Sequence, residues 1–216
     1  ELAAIVGKAR NLLGGIDAPD WAKGAGGAPL LAGDQLDGAA GTIGRYWTAE
    51  YGAAYAALQR KLAARYDGAP GLLWTSMARC TVSYSEPFAR NLDPVTLHTM
   101  LAAGFSVDAD QQCLRDQIDA HQVWQRTRSV LALSPYTDLT GTAQVTGEQI
   151  TAGLASYCRQ QLGARCVLEA DGLHFPAPRG DWGALYLRMF GLGAPLTFGV
   201  ATPDKVGNLQ AALSYA

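Results

Sequence analysis

The segment Gly71-Leu72-Leu73-Trp74-Thr75-Ser76-Met77 decides the fold class, because this mostly apolar strand pattern follows directly on a helical one. Before it, apolar side chains recur at intervals of four, three and four residues and predict a helix over residues 48–65: Tyr51, Tyr55, Leu58 and Leu62. A turn, Asp67-Gly68-Ala69-Pro70, separates the two, since Gly tolerates a positive φ and Pro cannot extend a helix. An apolar strand of this kind is typical of a parallel sheet that is covered on both faces.

The same order of helix, turn and strand recurs along the chain. The predicted strands are residues 9–16, 71–77, 128–133, 165–169 and 196–200. The predicted helices are residues 48–65, 117–124, 147–162 and 182–190, together with a short one that begins near Leu2. Strands that alternate with helices at these spacings need right-handed crossovers, and they therefore predict an α/β fold with a parallel sheet.

A parallel sheet of this type either closes into a barrel or stays open. The phosphate-binding patterns GxGxxG and GxxxxGK[ST] are absent, which removes the usual support for a nucleotide-binding open sheet. We therefore predict a TIM-barrel-like (β/α)-barrel. A complete barrel has about 250 residues. This chain has 216 and opens on a helical pattern, so we expect the barrel to be incomplete at its N-terminus. The glycine-rich residues 24–44 are predicted to form a long loop over the working face.

The composition limits the number of domains and the kinds of partner that the sequence allows. With 49% hydrophobic and 17% charged residues, the chain is expected to form a single globular domain over residues 1–216. A net charge of -2 and a pI of about 5.9 argue against nucleic-acid and anionic-membrane partners, which need clusters of Lys and Arg. No run of about 18 apolar residues occurs, so no membrane span is predicted. The chain begins with Glu1 rather than Met, and we expect it to be a processed or excised chain.

The four cysteines indicate disulfides rather than a metal site. They show neither CxxC spacing nor a histidine at ligand spacing, so no zinc site is predicted, and no motif indicates a cofactor. Free buried thiols are the alternative. If bridges form, Cys158 with Cys166 would tie a helix to the next strand, and Cys80 with Cys113 would tie a strand end to the following helical segment. Such bridges would place the protein outside the cytosol, as a secreted, extracellular chain.

Acidic and aromatic side chains follow the ends of the predicted strands. In a barrel, these C-terminal ends converge on one mouth. The candidate catalytic carboxylates are Glu86 and Glu169, and the candidate substrate-binding residues are Asp17, Asp20, Trp21, Trp47, Tyr84, Tyr136, Asp171 and His174. Of two facing carboxylates, one can protonate a leaving oxygen while the other acts as nucleophile or base. Aromatic rings give sugar rings an apolar platform. This combination predicts glycoside hydrolysis on a carbohydrate substrate.

Three segments carry a resemblance to a known family: Ala18-Pro19-Asp20-Trp21, Arg45-Tyr46-Trp47 and Leu62-Ala63-Ala64-Arg65-Tyr66-Asp67-Gly68-Ala69-Pro70. They resemble the passage from the third to the fourth strand in retaining glycoside hydrolases of the β-galactosidase-like barrel superfamily. The segment Leu168-Glu169-Ala170-Asp171 is similar to the later strand end that carries the nucleophile of those enzymes. The resemblance implies a barrel, a two-carboxylate reaction with retention, and Glu169 as the nucleophile.

The chain departs from that family at the strand that should carry the acid/base. Family members have an Asn-Glu pair at the end of the fourth strand, where this sequence has Met77-Ala78-Arg79-Cys80. The nearest glutamate is Glu86, which becomes the acid/base candidate. The alternative function is a catalytically inactive barrel that binds carbohydrate or scaffolds a neighbour. His121 is interpreted as a structural residue on a helix, and the absence of a Gly-x-Ser-x-Gly elbow argues against an α/β-hydrolase.

Overall fold

The computed structural model describes residues 15–35, 38–83, 86–88, 91–141, 143, 145–173, 179–199, 206–208, 210–211 and 214. Within these ranges the helices are α1 (Asp20–Lys23), α2 (Ala49–Tyr66), α3 (Pro94–Ala102), α4 (Val107–Ala120), α5 (Gly147–Leu162) and α6 (Gly180–Leu192). The strands are β1 (Leu30–Gly33), β2 (Ala40–Ile43), β3 (Trp74–Ser76), β4 (Arg128–Leu133), β5 (Cys166–Ala170) and β6 (Leu196–Phe198). Short 3-10 turns lie at His121–Val123 and Gly163–Arg165.

The centre of the fold is a four-stranded parallel sheet in the order β3-β4-β5-β6. β4 pairs with β3 on one side and with β5 on the other, in a register that sets Ala132 beside Glu169. β6 extends the sheet beyond β5 and sets Thr197 on the other side of Glu169. The parallel pairing predicted from the alternation of strands and helices is confirmed for these four strands.

The prediction of a TIM-barrel-like (β/α)-barrel is wrong. In the part of the chain that the structure describes, β3 and β6 are the outer strands of an open sheet, whereas closure into a barrel requires the outer strands to pair. The other two strands, β1 and β2, form a separate antiparallel sheet with Leu30 beside Ile43. The observed architecture is α/β, with a four-stranded parallel sheet and a two-stranded antiparallel sheet.

The glycine-rich residues 24–44 contain the β1–β2 hairpin instead of the predicted long loop. Leu30 and Ile43 are buried and belong to the main core, so the hairpin packs as part of the fold. The hydroxyl of Thr96 on α3 accepts a hydrogen bond of 2.8 Å from the Gly33 N–H, which fixes β1 against α3. Of the strand predicted over residues 9–16, only residues 15–16 fall among the described residues, in a bend and a turn. The helix predicted near Leu2 lies outside them.

The parallel sheet has two different faces. Leu131 and Leu168 lie on the face that packs against α5 and α6, in one core cluster with Leu154 and Met189. Because side chains alternate along a strand, the neighbouring positions lie on the opposite face. We call this second surface the distal face, and its buried residues in β4 and β5 are Val130, Ala132, Val167 and Glu169.

Helix ends follow local capping signals. Thr146 and Gln149 form a capping box before α5, and Gly163, with φ 57°, follows its last residue, so the helix predicted over residues 147–162 is confirmed to the residue. The helix predicted over residues 117–124 has different bounds in the structure. It is the end of the longer helix α4, which begins after its capping residue Ser106 and passes into a 3-10 turn.

Arg79 joins three segments behind the end of β3. Its side chain is 2% exposed, and it donates hydrogen bonds of 3.1 Å to the carbonyls of Tyr46 and Thr48. It also pairs with Asp116 at 3.4 Å. Gly52 on α2 makes room for the guanidinium, because a Cβ at this position would lie 2.6 Å from Arg79 Nη2. The end of β3 therefore carries a structural arginine.

Both predicted disulfides are present, Cys80–Cys113 and Cys158–Cys166, with Cα separations of 6.1 and 5.9 Å. The first ties the segment after β3 to α4, and the second ties α5 to the first residue of β5. Two disulfides are compatible with an extracellular protein. No helix among the described residues is long and apolar enough to cross a membrane.

Candidate functional site

Glu169 is the carboxylate that the fold places most distinctively. It lies near the end of β5 on the distal face, between Ala132 of β4 and Thr197 of β6, and it is 4% exposed. The sequence predicted an open mouth around it, whereas the structure buries it. A buried carboxylate costs free energy unless its surroundings compensate, and electrostatic interactions are stronger there than in water.

Arg165 and Arg128 stand near the starts of β5 and β4. Arg165 precedes β5 and donates to the carbonyl of Trp124. Arg128 is the exposed first residue of β4, four positions before the Ala132 that neighbours Glu169. At about 3.3 Å of rise per residue, four positions separate backbone atoms by about 13 Å.

Glu86 lies in a short segment that the structure fixes to the same end of the sheet. The carbonyl of Phe88, two residues after Glu86, accepts a hydrogen bond of 3.1 Å from the N–H of Thr137. Thr137 belongs to the segment that follows β4, the strand beside Glu169. Glu86 is half-buried and Phe88 is completely buried, which anchors the segment. The segment that contains Glu86 is thus held beside the residues that follow β4.

Asp171 and Gly199 extend this edge of the sheet. Asp171 follows β5 directly and is partly exposed, so accessible surface begins two residues beyond Glu169. Its carboxylate lies against Gly199, where an added Cβ would be 2.3 Å from Asp171 Oδ1. The Gly199 N–H donates to the Ala170 carbonyl at 2.9 Å. A larger residue at position 199 would therefore displace the Asp171 carboxylate from its place beside the end of β6.

Ser134 is a residue of this edge that the sequence did not single out. It follows β4, it is 4% exposed, and its Oγ has no hydrogen-bond partner among the residues that the structure describes. Its carbonyl accepts a hydrogen bond of 2.8 Å from Thr151 Oγ1 of α5. The only signal in the sequence was its position directly after an apolar strand, and a serine there is common in turns.

A cleft of about 370 Å³ lies beside the same edge. It is formed by the first turns of α4 and α5 and by the segment before α5, and its lining mixes polar and apolar side chains: Ser106, Val107, Asp108, Gln111, Ala143, Val145 and Ile150. The carbonyl of Gly147, the first residue of α5, accepts a hydrogen bond from the Tyr136 N–H, which connects this region to the end of β4. The cleft falls within the size range of ligand sites, about 300–1,000 Å³.

Trp21 lies away from Glu169. It is 62% exposed and borders a narrow crevice against Ala54, Tyr55 and Leu58 of α2. α2 packs in the helix layer, whereas Glu169 lies on the distal face of the sheet. Asp17 and Asp20, predicted with Trp21 as substrate-binding residues, are exposed in and just before α1. The structure therefore does not join Trp21 to the carboxylates at the sheet edge.

The remaining aromatic candidates are used in packing. Trp47 is half-buried, and its ring meets that of Phe105 edge-on at a centroid distance of 5.3 Å. Tyr136 is buried, and its hydroxyl donates a hydrogen bond of 2.8 Å to the carboxylate of Asp110 on α4. These contacts give both rings a structural purpose. The other two predicted substrate-binding residues, Tyr84 and His174, lie outside the described residues.

His121 is a buried polar residue of the helix layer, in keeping with its interpretation as structural. One ring nitrogen lies 2.8 Å from the Tyr55 hydroxyl and the other 2.9 Å from Ser129 Oγ. Burial lowers the pKa of His121 from its ordinary value of 6.5 to about 3. Burial also raises the pKa of Tyr55, so the phenol stays protonated. A neutral imidazole satisfies both partners, since one ring nitrogen donates and the other accepts.

We expect this histidine to make the fold sensitive to acid. Because its pKa is lowered in the folded state, the unfolded chain binds a proton below pH 6.5 that the folded chain does not. Its stabilising contribution is therefore complete above pH 6.5 and is lost as the pH falls toward 3. At about 1.4 kcal/mol per pH unit, the loss by pH 4.5 is roughly 2–3 kcal/mol.

Urea unfolding between pH 7 and 4.5 measures this effect. The variant His121→Gln should be less stable at pH 7 but should show a shallower decline with acid than the parent protein. The control is His98→Gln, at an exposed position on α3, which should keep the parent slope. Equal slopes for the parent and His121→Gln would show that another group causes the acid sensitivity.

The site described here contains no evident metal-binding cluster. Among the described residues, no group of three or more His, Cys, Asp or Glu side chains is arranged to hold a metal ion. Comparison of the chain with protein-family models, with curated proteins and with solved structures finds no match. The chemistry of the residues at the sheet edge is therefore the basis for a function.

Proposed function

We propose that this protein hydrolyses a glycosidic bond at the carboxyl end of its parallel sheet, with Glu169 as nucleophile and Glu86 as acid/base. The observation that carries the proposal is the placement of Glu169, a buried carboxylate at a strand end on the distal face. The segment of Glu86 is hydrogen-bonded to the residues that follow the neighbouring strand. Two carboxylates supplied by different segments at one edge are what the reaction needs.

Each half of the reaction assigns one task to each carboxylate. In the first half, the Glu169 carboxylate attacks the anomeric carbon while the protonated Glu86 gives its proton to the departing oxygen, so one bond to this carbon forms as the other breaks. In the second half, Glu86 takes a proton from water, and the water oxygen displaces Glu169. Both side chains return to their starting states, and the product keeps its anomeric configuration.

The surroundings of the pair support a carbohydrate substrate. Asp171 offers a partly exposed carboxylate for sugar hydroxyls just beyond Glu169. The cleft at the first turns of α4 and α5 combines Asp108 and Gln111 with apolar side chains, as binding of a sugar unit beyond the scissile bond requires. The two disulfides are compatible with action outside the cytosol, and we propose that the protein is secreted.

A second candidate function is carbohydrate binding without catalysis. The residues after β3 favour this function. The hydrolases that the sequence resembles have an Asn-Glu pair there, whereas this chain has Arg79 and Cys80. Arg79 bonds two backbone carbonyls and Cys80 forms a disulfide, so both have structural tasks. A binding protein would keep the cleft and would not need Glu86 close to Glu169.

A screen of aryl glycosides that vary in sugar and anomeric configuration tests the proposal. We expect turnover of at least one substrate, and proton NMR should show the first product with the anomeric configuration of the substrate. In retaining enzymes the two carboxyl groups stand about 5–5.5 Å apart, and in inverting ones about 6.5–9.5 Å. An inverted product would therefore contradict the role of Glu169 as nucleophile. Retention of the protein on a polysaccharide, with no turnover of any glycoside, would favour the second function.

A further inference from the structure

Ser134 carries a feature that folding stability does not explain. Its hydroxyl is buried and has no hydrogen-bond partner in the described part of the chain, although its own carbonyl accepts a hydrogen bond from Thr151. A buried polar group without a hydrogen-bond partner destabilises the folded state. Alanine would fit the same space without this cost. A buried hydroxyl that lowers the stability of the fold is a candidate for a functional role.

The register of the sheet places Ser134 near Glu169. Ala132, two residues before Ser134, is the neighbour of Glu169 across β4 and β5. Two residues of rise and one strand spacing, about 6.6 and 4.8 Å, put the Ser134 and Glu169 Cα atoms about 8 Å apart. Leu131 and Leu133 belong to the core cluster on the other face. Alternation continued by one residue therefore sets Ser134 on the distal face with Ala132 and Glu169.

Gln117 offers a useful comparison, because its Nε2 is also buried without a partner. Its Oε1, however, accepts hydrogen bonds from the N–H groups of Arg79 and Cys80, at 3.2 and 3.4 Å. Those two bonds explain why a glutamine is present there. The side chain of Ser134 makes no such bond.

We propose that Ser134 is a positioning residue for Glu169, an inference that rests on the proposed glycoside hydrolysis. The Ser134 hydroxyl would donate a hydrogen bond to the Glu169 carboxylate when that group is aimed at the anomeric carbon. Ser134 itself forms no covalent bond to substrate. A carboxylate held in this way loses less orientational freedom on reaching the transition state, which raises kcat more than it lowers KM.

The variants Ser134→Ala and Ser134→Thr test this inference, with Ser156→Ala on the exposed side of α5 as the control. We expect Ser134→Ala to keep or raise the Tm, because it removes an unsatisfied hydroxyl. Its kcat should fall about 10- to 100-fold while KM changes little. Ser134→Thr keeps the hydroxyl and should recover much of the lost kcat. Ser156→Ala should leave kcat and KM unchanged.

The outcomes separate this inference from the function on which it rests. An unmodified protein that turns over no glycoside removes the proposed function, and the role of Ser134 with it, before any variant is made. An active protein whose Ser134→Ala variant keeps full kcat overturns the inference alone. A Ser134→Ala variant that loses kcat and Tm together, without recovery in Ser134→Thr, would show a structural role and would also overturn it.

Discussion

Replacing Glu169 with Gln is expected to lower the turnover of an aryl glycoside by roughly 10³-fold or more, because a neutral amide cannot attack the anomeric carbon. Glutamine preserves the size of the side chain. The fold should therefore survive the substitution, and circular dichroism should match that of the parent protein. Loss of turnover in a folded protein would therefore report on chemistry. The measurement is kcat on the best substrate of the screen, with circular dichroism to confirm folding.

Glu50→Gln is the matched control for this experiment. Glu50 lies exposed in the first turn of α2, outside the proposed site, and Gln replaces a carboxylate there as it does at position 169. Its kcat should equal that of the parent protein. Turnover in Glu169→Gln within about threefold of the parent would contradict the nucleophile assignment, because no other group could replace a covalent nucleophile at so small a cost.

Removing the Cys80–Cys113 disulfide should destabilise the protein by about 4 kcal/mol, the largest stability effect that we expect from a local change. The bridge closes a chain segment with a sequence separation of 33, whereas that of Cys158–Cys166 is 8. Loop-closure entropy in the unfolded chain grows with the logarithm of this length. The same relation gives about 2.5 kcal/mol for the shorter bridge.

The two double-alanine variants serve as controls for each other. All four cysteines are buried, so each variant loses a similar amount of sulfur packing, and the difference between the variants reports on loop length. Urea unfolding of both variants at neutral pH should show a gap of about 1–1.5 kcal/mol. Equal losses would show that native-state packing, rather than the length of the closed loop, dominates the contribution of the bridges.

Local signals account for the parts of the fold that could be predicted. The apolar run over residues 128–133 forms β4 within those bounds, since a strand buried on both faces needs no alternating pattern. The helix over residues 147–162 was equally predictable, because its capping box and its terminal glycine are adjacent in sequence to the ends they define. The Cys158–Cys166 bridge is local in the same sense.

The sequence did not predict contacts between residues that lie far apart in the chain. Trp47 and Tyr136 follow strands and could have lined a mouth, but Phe105 and Asp110 approach them from the segment around the start of α4 and hold them in the core. The hairpin β1–β2 was missed because its glycine-rich strands show little alternation. Its pairing becomes visible only when Leu30 meets Ile43.

The sequence alone was enough to predict that strands alternate with helices, that these strands pair in parallel, and that Glu169 lies at the end of an apolar strand. These properties arise from periodicity and from residues close together in the chain. The tertiary structure was needed to show that the described sheet stays open, that the segment of Glu86 contacts the residues after β4, and that the Ser134 hydroxyl is buried without a hydrogen-bond partner in the described part of the chain. Closure, proximity and hydrogen-bond satisfaction each depend on which segments meet in space, and pairwise contacts between distant residues leave no periodic signal in a single sequence.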